Sequence, residues 1–120
     1  MDSRKPTGRT AKELERYFID LPEAKLCFDI AHARQVDPTM TAAARILSEF
    51  GDRLVQVHLS ELNSKGKHFA ISYGAKRAYE IFATTLSQVP VILESVVSEA
   101  GIAAEINETE KILNYRPCDV

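Results

Sequence analysis

Three short apolar runs in this chain each end in an ionisable side chain. The runs are LCFD, LVQVH and VILE, and they end at Asp29, His58 and Glu94. Each gap between them has room for a loop, a helix and a return, so the three runs predict parallel strands. Parallel strands bring their carboxyl ends to one edge of a sheet, which is where ligands bind in α/β folds. The sequence therefore predicts a site at that edge, built from two carboxylates and one imidazole.

Helical patterns lie between and around the runs. Thr10 with Glu13 forms a capping box, Asp37-Pro38 is typical of a helix start, and Gly51 is typical of a helix end. Amphipathic helices alternating with apolar strands indicate a parallel sheet covered by helices. The predicted strands span 25–30, 53–59 and 89–94. The predicted helices span 10–21, 38–50, 74–86 and a stretch within 101–114, which starts near residue 101 or at a cap formed by Asn107. Residues 61–73 are predicted to be a polar loop.

Length and charge limit the classes of partner. The chain has 120 residues, so we expect a single α/β domain over 10–116 between a disordered tail at 1–9 and a short tail at 117–120. No apolar stretch approaches the roughly 18 residues that span a bilayer, and the start lacks a secretory signal, so we expect a cytoplasmic protein without a membrane partner. The net charge of −2 argues against nucleic acid. Cys27 is interpreted as a small buried apolar residue, without a disulfide to Cys118.

The three strand-ending residues suit a divalent metal. Carboxylate oxygen and imidazole nitrogen are ligands of Mn²⁺ and Zn²⁺, so Asp29, His58 and Glu94 are predicted to bind one of these ions. Glu94 is also the predicted catalytic residue, because a carboxylate beside a polarised carbonyl can move a proton. The alternative for His58 is a core histidine with a hydrogen-bonded ring.

Three further residues are predicted to contact a substrate. His32 lies three residues after Asp29, His68 lies in the loop after the second strand, and Glu61 lies three residues after His58. The histidines have the chemistry to orient a polyol or a phosphate, or to hold a second metal. The alternative for all three is an ordinary solvated loop residue.

The segments LCFDIAHAR, FGDRLVQVHLSELNSKGKH and VPVILES resemble the C-terminal half of the xylose isomerase-like TIM barrels. This superfamily includes sugar isomerases, ketose 3-epimerases and apurinic endonucleases of the endonuclease IV type. The resemblance implies that Asp29, His58 and Glu94 bind a divalent metal and that Glu94 is also the acid/base. It implies that His32 contacts substrate, as in the epimerases, or metal, as in the endonuclease. The implied substrate is a sugar or sugar phosphate.

The chain departs from this family in two respects. The family's additional metal-binding glutamate, on the strand before Asp29, has no counterpart in this sequence, and the stretch from Lys65 to Gly74 lacks the family's Asp and Gly-x-Gly turn. A closed barrel also takes about 200–250 residues. We therefore expect a half-barrel with about three parallel strands. Such a sheet would expose Leu, Val and Phe on its uncovered face, so self-association is predicted. The alternatives are a fragment of a longer barrel and a three-layer αβα domain.

Three functions follow from these expectations. The first is metal-assisted proton transfer beside a carbonyl, as in sugar isomerases and epimerases. The second is a non-catalytic barrel remnant or interaction module, which the missing glutamate favours. The third is an endonuclease IV-like phosphodiesterase, which the negative net charge disfavours.

Overall fold

The computed structural model of the chain describes residues 10–117, so the predicted tails at 1–9 and 118–120, with Cys118, lie outside the described residues. No helix within 10–117 has both the length and the apolar character to cross a membrane. The elements of this range are the helices α1 Ala11–Asp20, α2 Ile30–Val36, α3 Thr41–Phe50, α4 Tyr73–Glu80, α5 Ala83–Leu86 and α6 Ile102–Leu113, the strands β1 Leu26–Asp29, β2 Leu54–Leu59, β3 Glu61–Leu62, β4 His68–Phe69 and β5 Val91–Leu93, and the 3-10 turns Gly51–Arg53 and Glu99–Gly101.

Three strands form a parallel sheet in the order β1-β2-β5, and this sheet does not close on itself. Asp29 is the register partner of His58, and His58 is the register partner of Ile92. The predicted α/β fold, with three parallel strands alternating with helices, is confirmed. The strands β3 and β4 form a separate antiparallel pair.

The two faces of the sheet differ in character. Because side chains alternate along a strand, Phe28, Val57 and Leu59 point to one face, where they are fully buried in a single core with the helices. The other face carries Cys27, Gln56, His58 and Ile92, of which Ile92 is 41% exposed. The expectation that Leu, Val and Phe meet water on the uncovered face is therefore wrong. Most large apolar side chains of the strands lie under the helices, with the exceptions of Val55 and Ile92, and the uncovered face is mostly polar.

The junction after β1 differs from the prediction. The predicted strand to residue 30 ends at Asp29, because the Asp29 carboxylate caps a helix that begins at Ile30. This helix, α2, was not predicted. The next helix begins at Thr41 rather than at residue 38. There the Asp37 carboxylate accepts hydrogen bonds from the backbone N–H groups of Thr39 and Ala42, and the resulting turn delays the helix.

The N-cap of α1 at Thr10 is confirmed, since Thr10 Oγ1 accepts a hydrogen bond from the Glu13 N–H at 3.2 Å. The stretch 61–73 is not simply a loop, because it contains the β3–β4 hairpin, whose turn places Gly66 at a φ of 73°. The predicted helix over 74–86 is divided into α4 and α5. The last helix begins at Ile102, well before the possible cap at Asn107.

Candidate metal centre

The predicted triad converges at the carboxyl edge of the sheet. Asp29 ends β1, His58 lies near the end of β2, and Glu94 follows β5 directly. One ligand atom from each residue can be chosen so that all three lie within 4.8 Å of one another. An ion bound at about 2.0–2.2 Å holds any two ligands at most about 4.4 Å apart. Three ligands cannot all lie opposite one another, and in the tetrahedral arrangement typical of Zn²⁺ they are roughly 3.3–3.6 Å apart, so the three side chains must approach one another by about 1 Å to bind one cation.

Asp29 has a structural role at this edge, as the cap of α2. Its side chain is buried, and its Oδ1 atom accepts a hydrogen bond from the His32 N–H at 3.0 Å. Burial raises the pKa of Asp29, and the nearby Glu94 carboxylate raises it further, against the lowering effect of the hydrogen bond and the charge of His32. Two carboxylates held together with limited hydration are stabilised by a shared cation, so the donor set fits a divalent metal.

His58 and Glu94 are in direct contact. His58 Nδ1 lies 3.0 Å from Glu94 Oε1, and both side chains are about one-third exposed. The backbone N–H of Glu94 donates to the carbonyl of Leu59 at 2.9 Å, which extends the β2–β5 pairing and fixes the start of the Glu94 side chain. A ligand at this edge therefore has access from solvent.

Two further histidines flank the triad. His32 Nε2 lies 3.8 Å from Asp29 Oδ2, and His68 Nδ1 lies 3.8 Å from Glu94 Oε2. The two rings meet edge to face, with centroids 5.7 Å apart. His68 Nδ1 is also 2.8 Å from the hydroxyl of Ser60, which orients the ring. The structure thus places both predicted substrate-contacting histidines beside the triad.

Glu61 forms hydrogen bonds to Arg34 and Ser72. Its Oε1 atom accepts a hydrogen bond from Arg34 at 3.1 Å, and its Oε2 atom accepts one from the backbone N–H of Ser72 at 2.5 Å. These bonds join β3 to α2 and to the start of α4. The contacts of Glu61 support a structural role, and its predicted contact with substrate stays a prediction.

Sequence reasoning missed two residues on the same face as His58. Cys27 was interpreted as a small buried apolar residue, but it is only half-buried and faces the site. Its Sγ atom lies 3.4 Å from Gln56 Oε1 and 3.5 Å from His58 Nε2. The sequence could have predicted these positions, because residues two apart in a strand share a face. Cys27 therefore lies on the same face as Asp29, and Gln56 on the same face as His58. Burial raises the pKa of the Cys27 thiol.

Comparisons of the chain with protein-family models, with curated proteins and with solved structures gave no match. What the fold and the site define is therefore a class: an α/β chain with an open, three-stranded parallel sheet and a possible metal-binding triad at its carboxyl edge. Any more specific function depends on the chemistry of that triad.

Proposed function

We propose that this chain is a divalent-metal-dependent protein of the xylose isomerase-like type, with Mn²⁺ or Zn²⁺ held by Asp29, His58 and Glu94. The observation that carries the proposal is the convergence of these three ligands at the ends of three neighbouring parallel strands. In this interpretation the open sheet is part of a TIM barrel. Its uncovered polar face corresponds to the barrel interior, and the helices cover the outside.

The proposed reaction is proton transfer at a carbon beside a carbonyl, on a sugar or sugar phosphate. A bound divalent cation polarises the carbonyl and makes the neighbouring C–H more acidic. Glu94 is the proposed acid/base, because its carboxylate lies at the solvent-accessible side of the triad and can reach a ligand there. The proposed role of His32 and His68, which lie 3.8 Å from Asp29 and Glu94 respectively, is to donate hydrogen bonds to substrate hydroxyl or phosphate oxygens.

A second candidate is a metal-binding or interaction module without turnover. The observation that favours it is the half-exposed face around His58, which this chain does not cover within the described residues. Catalytic sites strengthen their electrostatic interactions by excluding water, and a single open sheet does not provide that exclusion. Self-association or additional chain would be needed to enclose a substrate.

Metal uptake is the first experiment. Element analysis of the size-fractionated chain, after incubation with Mn²⁺ or Zn²⁺, is expected to give about one ion per chain. Asp29→Asn keeps the helix cap but removes a charged ligand, and His58→Ala removes the imidazole, so both variants are expected to lose the ion. Glu49→Gln is the matched control, because Glu49 pairs with Arg45 on the exposed side of α3, and it is expected to bind metal normally.

Solvent exchange then separates the two candidates. Incubation of the metal-loaded chain with ketoses in D₂O is expected to remove the proton signal of the carbon beside the carbonyl, and Glu94→Gln is expected to abolish this exchange. Metal binding without exchange on any ketose would support the module without turnover. Absence of metal uptake by the wild-type chain would contradict the metal-dependent enzyme and leave only an interaction module without metal.

A further inference from the structure

The metal-binding geometry of His58 depends on which of its ring nitrogens carries the proton. A neutral imidazole has one N–H and one lone pair, and a metal takes the lone pair. His58 Nδ1 faces Glu94 at 3.0 Å, whereas Nε2 faces the amide of Gln56. The proposed ion would bind on the Nδ1 side, because Glu94, another of its proposed ligands, contacts that nitrogen. The proton must therefore reside on Nε2 when metal is bound.

We propose that Gln56 is the positioning residue that keeps the proton on His58 Nε2 and leaves Nδ1 free to bind the metal. This inference rests on the proposed metal centre. Gln56 Oε1 lies 3.1 Å from His58 Nε2, at hydrogen-bond distance, and Gln56 precedes His58 by two positions on the same strand face. A ligating histidine that donates its other N–H to an oxygen has a fixed tautomer and ring orientation.

The Cys27 thiol also contacts the Gln56 amide. Cys27 is the register partner of Gln56 on the neighbouring strand, and its S–H donates to Gln56 Oε1 at 3.4 Å. The amide oxygen therefore faces both the thiol and the imidazole. Cys27 Sγ is also 3.5 Å from His58 Nε2, and a thiol donating to that nitrogen would move the imidazole proton to Nδ1, against the metal. By accepting hydrogen bonds from both the Cys27 thiol and the His58 Nε2–H group, Gln56 Oε1 favours the His58 tautomer whose Nδ1 is free to bind metal.

Affinity for Zn²⁺ tests the role of Gln56. Loss of such an outer hydrogen bond costs roughly 10–100-fold in metal affinity. We expect Gln56→Leu, which keeps the size but removes the acceptor, to weaken binding by about this factor in competition with a chromophoric chelator. Gln56→Glu keeps an acceptor oxygen and is expected to bind at least as tightly as wild type. Cys27→Ala, the control, leaves the Gln56–His58 bond intact and is expected to bind within about 2-fold of wild type.

Nitrogen NMR of His58 gives a readout that does not need a variant of Gln56. In the Zn²⁺-loaded wild-type chain, with the signal assigned by its loss in His58→Gln, we expect a protonated Nε2 and a coordinated Nδ1. The reverse tautomer overturns the inference, and so does a Gln56→Leu affinity equal to wild type or a Cys27→Ala loss as large as that of Gln56→Leu. Wild-type chain that takes up no Zn²⁺ overturns the metal centre itself, which distinguishes failure of the proposed function from failure of the Gln56 assignment.

Discussion

At the residue scale, the buried Asp29 carboxylate lowers the stability of the metal-free chain when it is ionised. Because burial and Glu94 raise its pKa, the ionised carboxylate is disfavoured in the folded chain. Asn at this position keeps the cap on α2 and can donate an amide hydrogen toward Glu94. We therefore expect Asp29→Asn to raise the stability of the metal-free chain at neutral pH by on the order of 1 kcal/mol, or about 4 °C in Tm, while it removes metal binding. Thermal unfolding without metal measures this.

The stability that Asp29→Asn adds is expected to increase with pH. Below the ordinary Asp pKa of 3.8, the carboxyl is protonated in both folded and unfolded chains, so wild type and Asp29→Asn are expected to be equally stable. The advantage of the variant grows as the pH rises toward the raised folded pKa and is constant above it. Asp37→Asn is the control of opposite sign, because the hydrogen bond from Thr39 lowers the pKa of Asp37. A lower Tm for Asp29→Asn at neutral pH would contradict the argument.

Tyr79 makes a buried hydrogen bond to the residue that follows β2. Its side chain is fully buried, and its hydroxyl donates at 2.8 Å to the carbonyl of Ser60, the residue whose hydroxyl orients His68. Burial raises the pKa of Tyr79, so the hydroxyl stays a donor throughout the neutral range. We expect Tyr79→Phe to cost about 1–3 kcal/mol in urea unfolding, because the Ser60 carbonyl loses its partner. Tyr73→Phe, at a 76% exposed position, is expected to cost almost nothing; equal costs would contradict this assignment.

At the element scale, the β3–β4 hairpin carries His68 to the triad. Its turn is organised by Asn63, whose Oδ1 atom accepts hydrogen bonds from the backbone N–H groups of Lys65 and Lys67 at 2.9 and 3.0 Å. We expect Asn63→Ala to accelerate amide hydrogen exchange over residues 61–69, with a local cost of about 0.5–1.5 kcal/mol. Metal uptake should persist, because the triad lies on the sheet. Lys65→Ala is the control, and exchange rates equal to those of Asn63→Ala would contradict the role of the Asn63 side chain.

The helices and strands also show which parts of the fold could be predicted from the sequence. The three parallel strands and the triad were predictable, because each strand is a continuous apolar run whose end is marked by an ionisable residue. Helix α2 was not, because Asp29 both ends the strand and caps the helix, and the apolar Ile30 looks like more strand. The β3–β4 hairpin was missed because two-residue strands give no periodic signal.

The polar partners within the site were visible only in part. Strand alternation places Gln56 on the same face as His58, but the hydrogen bonds of Cys27 depend on the register between β1 and β2, and that register includes an irregularity at Leu26 and Cys27. The hydrogen bond between Glu61 and Arg34 likewise depends on how the hairpin lies against α2. Both are tertiary outcomes that a spacing along the chain does not determine.

At the scale of the whole molecule, the third strand of the sheet has an outer edge without a strand partner among residues 10–117. Beside this edge lies a groove of about 480 Å³, which β5 and α6 line with Val91, Leu93 and Ile106. Val96, between β5 and α6, and Ile102, at the start of α6, are exposed apolar side chains as well. The prediction of self-association therefore no longer depends on the sheet's face, which is polar. It now rests on this edge and groove, because unpaired edges and contiguous apolar surface favour association.

We expect the chain to form concentration-dependent dimers in analytical ultracentrifugation and Ile106→Lys to shift them toward monomers, since a charge in the groove opposes burial of the groove. Ile19→Lys is the matched control, because Ile19 on α1 is 69% exposed and lies on another surface. It is expected to leave the dimer fraction unchanged. Wild-type chain that sediments as a monomer up to high micromolar concentration would remove self-association, and the triad would then have to bind its metal on an open sheet. Equal loss of dimer in both variants would place the interface elsewhere.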